Sequence, residues 1–421
     1  MTAHTLYQMV PPTIRSIISR SHQQAAFSFV CPSCQLRTPA ASRFSRANSS
    51  PRATLQKHHG LRSRNFSTTT RRSAYVNLTN RGVVRVAGPD AAHFLDGLLP
   101  AKILGVGPEP IYTAFLTAHG RILVDAFIYP PASTEAPEWF IEVDAESVDI
   151  LTKHLKKHKL RSKFAIERLK EPPIFVSHDT ALDGSQASGP SAIEGLRAGG
   201  KDPRPGMASR YVVSESWAAE LRQKLGDELP LDAYTNERMR NGLAEGQSEL
   251  SSEASLPQES NIDLLGGIDF HKGCYLGQEL TIRTHHTGVV RKRVLPVQLY
   301  DKDSESIEHR SELPPPGSNL SKVSTRKGRS TGKLLASGQS VGLALCRLEM
   351  MTDIQLTADA TNFDPKEEYK VTWQNDQGQD QSVFVKPVVL DWLRNGIEAN
   401  LRRKERKPAK KQDVDEDELD D

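Results

Sequence analysis

No aspartate or glutamate occurs before Asp90. Residues 1–73 hold ten arginines and one lysine instead, among many serines and threonines. Arginine-rich, serine-rich and acid-free is the composition of a mitochondrial transit peptide. Within it, Thr13–Arg20 can set Ile14, Ile17 and Ile18 on one helical face. Arg64-Asn65-Phe66-Ser67 has the pattern of a matrix processing site cut after Phe66, so 1–66 is read as a presequence that sends the chain to the matrix. Its loss removes eight arginines and one lysine and turns a formal net charge of +3 into −6. A mildly acidic mature chain lacks the overall basic footprint of a nucleic-acid binder, so no direct nucleic-acid partner is expected.

Cysteine is also scarce, with four in 421 residues: Cys31, Cys34, Cys274 and Cys346. They offer neither a disulfide framework nor a closed zinc spacing. The C-x-x-C of Cys31 and Cys34 falls inside the presequence. A four-iron cluster held by protein alone takes four thiolates, and the two cysteines left after processing cannot supply them. No apolar run approaches the roughly 18 residues a membrane helix needs, and no membrane span is expected. The apolar share, 37%, is low for a globular chain and implies polar segments around the folded part.

What the chain does have is K-G-C-Y-L-G-Q-E, Lys272 to Glu279. Gly273 and Gly277 flank the thiol of Cys274, and glycine admits a positive φ or a close backbone approach. This places Cys274 on a bent, exposed segment. Lys272, Arg283 and the run Arg291, Lys292, Arg293 are near in sequence, and cations favour the thiolate, which is the nucleophile and the metal ligand. Cys346, in the apolar L-A-L-C-R, reads as core. His285 and His286 are adjacent on what reads as an extended segment, where neighbours point to opposite faces, so at most one could serve a metal.

This stretch, followed by T-x-R-T-H-H-x-G-V-V-R-K-R (Thr281–Arg293), resembles the glycine-cleavage T-protein-like family, and within it the mitochondrial iron–sulfur cluster assembly factors, whose fungal members carry a transferase label. Weaker matches run from Tyr75 to Leu348, among them F-L-T-A-H-G-R-I-L-V-D (Phe115–Asp125), L-R-S-K-F (Leu160–Phe164), Y-x-x-x-R (Tyr234–Arg238) and Glu245-Gly246. The resemblance implies an α+β fold: a T-protein-like cloverleaf of ferredoxin-like α/β layers plus a small C-terminal antiparallel β-barrel. It implies a folate-sized central pocket that tetrahydrofolate would occupy, lined by Tyr112, Asp125, Arg238, Glu259 and Asn261. Around Cys274 it marks Lys272, Gly273, Tyr275, Gly277, Gln278, Glu279 and Arg283.

The ancestral enzyme of that family moves a one-carbon unit from an aminomethyl lipoyl arm to tetrahydrofolate. Two departures count against that reaction. Val124-Asp125 stands where the T-protein has paired acids, and Arg240 stands where its R-x-E-x-G pattern puts a glutamate on the pterin. A buried arginine facing a pterin's donor groups would cost several kcal/mol without an acceptor. The expectation is a non-turnover assembly factor. Its Cys274 would share a transient iron–sulfur cluster with a partner, an A-type scaffold protein, to mature four-iron enzymes such as aconitase and lipoate synthase. A folate-dependent aminomethyl transferase and a tRNA-modification cofactor protein are the alternatives.

Hydrophobic periodicity places strands at Val83–Val86, Tyr112–Leu116, Ile122–Tyr129, Trp139–Val143 and Phe164–Leu169. It places helices after Asp90 and Asp144 as caps, the second with Val148, Leu151 and Leu155 on one face, and further helices at Trp217–Leu225 and Tyr234–Asn241. The α+β region is set at 74–290 with a loop insertion at 181–206, and the barrel at 291–397 with an exposed loop at 301–331. The charged end, 398–421, is read as a disordered tail.

Overall fold

Among the described residues the chain forms two five-stranded sheets and one closed barrel. The computed structural model describes residues 74–405 apart from 133–134, 136, 171–173, 178–195, 303–311, 325–329, 339 and 358–362. The presequence, its processing site and the acidic end of the tail lie outside the described residues.

In chain order the strands are β1 (Ala74–Asn77), β2 (Arg81–Ala87), β3 (Ile111–Leu116), β4 (Ile122–Tyr129), β5 (Glu138–Asp144), β6 (Ala165–Arg168), β7 (Ile174–Ser177), β8 (Leu196–Lys201), β9 (Ser209–Val213) and β10 (Asp227–Leu229). The barrel adds β11 (Lys292–Tyr300), β12 (Asn319–Lys322), β13 (Gly332–Ser337), β14 (Val341–Arg347), β15 (Tyr369–Gln374) and β16 (Asp380–Pro387). The helices are α1 (Ala91–Leu98), α2 (Val148–Lys159), α3 (Glu215–Leu225), α4 (Leu231–Arg240), α5 (Gln278–His286), the short α6 (Leu348–Met351) and α7 (Asp391–Glu405).

One sheet runs β10-β1-β7-β9-β8, with only the β1–β10 pairing parallel, and the other runs β3-β4-β5-β2-β6, antiparallel throughout. Side chains alternate across a strand, and β4 shows what that does here. Val124, Ala126 and Ile128 pack with Leu95 of α1 and with Leu151 and Leu155 of α2. Phe127 and Tyr129 turn the other way, into a core shared with Ile174, Val176 and Val212 of the first sheet and Tyr234 of α4. Asp125 has the parity of Phe127, so the strand pattern drives a carboxylate into the centre. A separate cluster fills the barrel, β11-β14-β13-β12-β15-β16, where Cys346 is buried.

Several local expectations need correction. Asp90 does not cap α1 with its side chain; its Oδ2 accepts the Lys163 backbone N–H at 2.6 Å and ties two loops together. Asp144 caps a 3-10 turn that precedes α2, by accepting from the Glu146 N–H at 2.9 Å. The expected insertion 181–206 contains β8, an edge strand whose Gly199 lets it lie against Tyr211 of β9. The expected loop 301–331 contains β12, without which the barrel would not close. The charged tail begins as helix: α7 extends through Glu405, and Arg403 and Lys404 reach the end of α5. Lys404 donates to the Thr284 and Gly288 carbonyls, where a cation complements the helix dipole. His285 and His286 are on that helix, not on an extended segment; His285 is buried and stacked on Phe270 with ring centroids 3.5 Å apart, while His286 is exposed.

Candidate functional site

The loop that carries Cys274 is built from both ends. Pro100 accepts the Asp269 N–H at 2.9 Å and Gly97 accepts the Leu276 N–H at 3.1 Å, which pins the loop to the end of α1. Lys272 completes the attachment. Its ammonium donates to the carbonyls of Asp96, Leu99 and Ala101 at 2.7, 2.9 and 2.9 Å and pairs with the Asp96 carboxylate at 3.0 Å. Its side chain is only 3% exposed, and burial pulls its pKa down against the pull of Asp96. Sequence proximity suggested that Lys272 serves the thiol. The structure assigns its hydrogen bonds to the α1 end, so it anchors the loop.

Tyr275 is buried, its N–H held by Gln278 Oε1 at 3.1 Å and its hydroxyl 2.7 Å from Thr281 Oγ1. Gln278 opens α5 and Gly277 precedes it with φ +79°. A Cβ on Gly277 would sit 2.2 Å from the Thr117 carbonyl oxygen, and one on Gly120 would sit 2.7 Å from the Gly277 carbonyl oxygen. The β3–β4 hairpin tip and the cysteine loop therefore meet glycine against glycine. Replacing Gly277 by alanine is expected to cost about 2–4 kcal/mol, since strain at positive φ adds to a clash with backbone; urea denaturation of the variant checks it. Gly273, by contrast, has open space around it, and Cys274 beside it is exposed with a free thiol. Glu279 and Arg283 are exposed on α5.

The five residues expected to line a folate pocket separate into two groups. Tyr112, Asp125 and Arg238 are buried at the centre and already engaged. The Tyr112 hydroxyl donates to the Ala244 carbonyl at 3.0 Å. Asp125 accepts from the Gly246 N–H at 3.0 Å and from Arg81 at 3.4 Å, and burial still raises its carboxyl above the usual range. Arg238 forks onto both oxygens of Glu249 at 2.6 Å. Glu259 and Asn261 instead join the barrel. Asn261, at φ +63°, donates to the Val294 carbonyl at 2.8 Å and accepts from Arg293 at 3.2 Å, while the Glu259 backbone carbonyl accepts the Val294 N–H at 2.9 Å. Arg240 is exposed and does not face the centre.

Sequence reasoning missed the rest of the centre. Glu142 binds Arg81 (2.9 Å), Arg210 (2.5 Å) and the Tyr129 hydroxyl (2.6 Å). Asp202 binds Arg204 at 2.8 Å and Arg210 at 3.2 Å, and Glu245 binds Arg204 at 2.6 Å and the Tyr234 hydroxyl at 2.7 Å. Burial alone would raise the Glu245 carboxyl, but Arg81, Arg204, Arg210 and Arg238 together hold it well below the usual carboxylate range. The guanidinium of Arg210 lies 3.8 Å over the Phe127 ring. Charge at the inward parity of otherwise apolar strands, as with Glu142 between Ile141 and Val143, was the signal that could have found this network.

Known proteins are similar to this chain in sequence and in fold. An IBA57 homolog of Neosartorya fischeri, described as a mitochondrial iron–sulfur cluster assembly factor, is 43% identical over 384 residues, covering 80% of this chain and 85% of its own. The chain belongs to the IBA57 family. A Pyricularia oryzae homolog with the same description is 42% identical over 340 residues, covering 78% of this chain and 86% of its own. Residues 291–375 match the C-terminal beta-barrel domain of CAF17. In fold, the chain is similar to the glycine cleavage system aminomethyltransferase T of Bartonella henselae, with a TM-score of 0.54, 15% identity, and 77% and 87% of the two chains covered. The α+β layers and the antiparallel barrel expected of an IBA57-family chain are thus present.

Proposed function

We propose that this IBA57-family chain is an iron–sulfur cluster assembly factor of the mitochondrial matrix. Cys274 lends one thiolate to a transient cluster whose other ligands come from an A-type scaffold protein. The clusters so made serve four-iron enzymes such as aconitase and lipoate synthase. The observation that carries this reading is the contrast between two thiols. Cys274 stands exposed on an anchored, glycine-flanked loop, while burial pushes Cys346 up to about 12. A single accessible cysteine suits a shared cluster and cannot close one alone. Iron here is cargo, so no catalytic turnover is required. Anaerobic reconstitution with the scaffold, followed by visible absorption, tests it: the wild type should form a cluster with the scaffold that Cys274→Ser does not.

Matrix residence rests on the acid-free start and on Arg64-Asn65-Phe66-Ser67. N-terminal sequencing of protein from purified mitochondria is expected to begin near Ser67. Retention of the intact N-terminus in the cytosol would refute it.

Tetrahydrofolate binding is expected to be weak or absent, with no aminomethyl transfer. A pterin's donor groups need carboxylate acceptors, and the central carboxylates Asp125, Glu142, Glu245 and Glu249 already accept from arginines, tyrosines or backbone N–H groups. What the centre has spare are donors, Arg81 Nη2 and Arg238 Nε. Titration calorimetry and a glycine-cleavage half-reaction check this; turnover at the rate of a true T-protein would favour the transferase instead.

A further inference from the structure

Helix α2 and the loop after it hold Lys153, Lys156, Lys157, Lys159, Arg161 and Lys163, with no acid between them. Among the described residues none of these six is in an ion pair. The helix dipole explains only part of this, because it amounts to about half a charge at the C-terminus, and one contact, Lys159 over the Phe164 ring at 5.2 Å, accounts for one more. Leu160 ends the helix at φ +46° and is 89% exposed. A chain with a net charge of −6 after residue 66 thus concentrates cations on one face.

That face borders an open cleft whose lining includes His119, Arg121, His154, Lys157, His158 and Leu276. Among the described residues that line it, Glu253 is the one acid. Among the described residues, none gives the buried His154 Nε2 a hydrogen bond. Leu276 lies two residues from Cys274, so the cleft opens beside the thiol loop. The thiol loop therefore supplies one wall residue of the cleft.

We propose that the α2 face and its cleft receive an acidic segment of the protein that completes the cluster at Cys274. The proposal rests on the reading of Cys274 given above. Opposite charge steers encounter and fixes register at such a surface, and its effect weakens with salt. Leu160, exposed between Lys159 and Arg161 in the chain, offers an apolar contact next to these cations.

The experiment uses the full processed chain and a fluorescently labelled A-type scaffold, with affinity read by anisotropy at about 50 and about 300 mM salt. The double variant Lys156→Glu/Lys157→Glu is expected to bind about tenfold or more weakly at low salt, with a smaller difference at high salt. Lys366→Glu, an exposed change on the barrel, should bind like wild type. An unchanged melting temperature shows that the double variant is folded. Equal affinity of wild type and double variant overturns the proposal, yet leaves the reading of Cys274 standing if cluster formation still depends on that thiol. Absence of scaffold binding by wild type overturns both. Vesicles with anionic phospholipid form a second arm. If they bind wild type but not the double variant while scaffold affinity is unchanged, the surface faces lipid and the proposal fails.

Discussion

Cys274→Ser should yield a folded protein of wild-type stability that fails to support aconitase and protein lipoylation in cells. Stability should be kept because the side chain is exposed and the change removes little volume, so no cavity forms; surface substitutions of this kind fall within about 0.5 kcal/mol. Function should be lost because a neutral hydroxyl is a far weaker iron ligand than a thiolate. Cys346→Ser is the internal contrast. It puts a hydroxyl into the barrel core among Leu334, Ala344 and Val383, where an unsatisfied polar group costs about 1–3 kcal/mol. That variant should melt earlier but keep its assembly activity at matched protein levels. The measurements are aconitase activity and lipoylation in cells that express each variant. Full rescue by Cys274→Ser would show the thiol to be dispensable and end the ligand-sharing mechanism.

The loop at Cys274 was legible in the sequence because two glycines around a lone thiol disfavour a regular helix and permit a bend, and Gly277, at φ +79°, makes the turn into α5. The strands were legible for a similar reason, since alternation in Ile122–Tyr129 leaves only the assignment of each face open. What the sequence hid was partnership. Lys272 is adjacent to Cys274 in the chain, yet its ammonium spends its bonds on α1, a helix more than 170 residues earlier. Asp125, Arg238 and Asn261 looked alike as polar candidates. Only the fold shows that the first two belong to a central charge network and the third to the barrel seam. The end of α7 and strand β12 were lost to composition: charge and proline mark exposure, but an exposed segment still forms a helix or a barrel strand when its backbone finds partners.

Glu142→Gln is expected to be the most destabilising single conservative change in the α+β region. Glu142 is fully buried and takes hydrogen bonds from Arg81 Nε, from Arg210 Nε and Nη2, and from the Tyr129 hydroxyl. Glutamine keeps the shape and one acceptor but removes the negative charge, and it turns an N–H pair toward one of the guanidiniums. Both arginines then remain buried with less charge to face. Breaking a buried ion pair in this way costs about 3–5 kcal/mol, a large part of the 5–15 kcal/mol typical of a whole domain. Glu138→Gln, on the same strand, removes one of the two acid partners of Arg85 at a part-exposed site, where pairs are worth about 0–1 kcal/mol. Urea unfolding of the two variants should therefore differ by several-fold in stability loss. The cause is separable from lost packing through the double variant Glu142→Gln/Arg210→Met. If the penalty is an unpaired charge, removing one guanidinium restores part of the stability and the two changes are non-additive. Simple addition of the two losses would mean that the network holds the centre by shape alone.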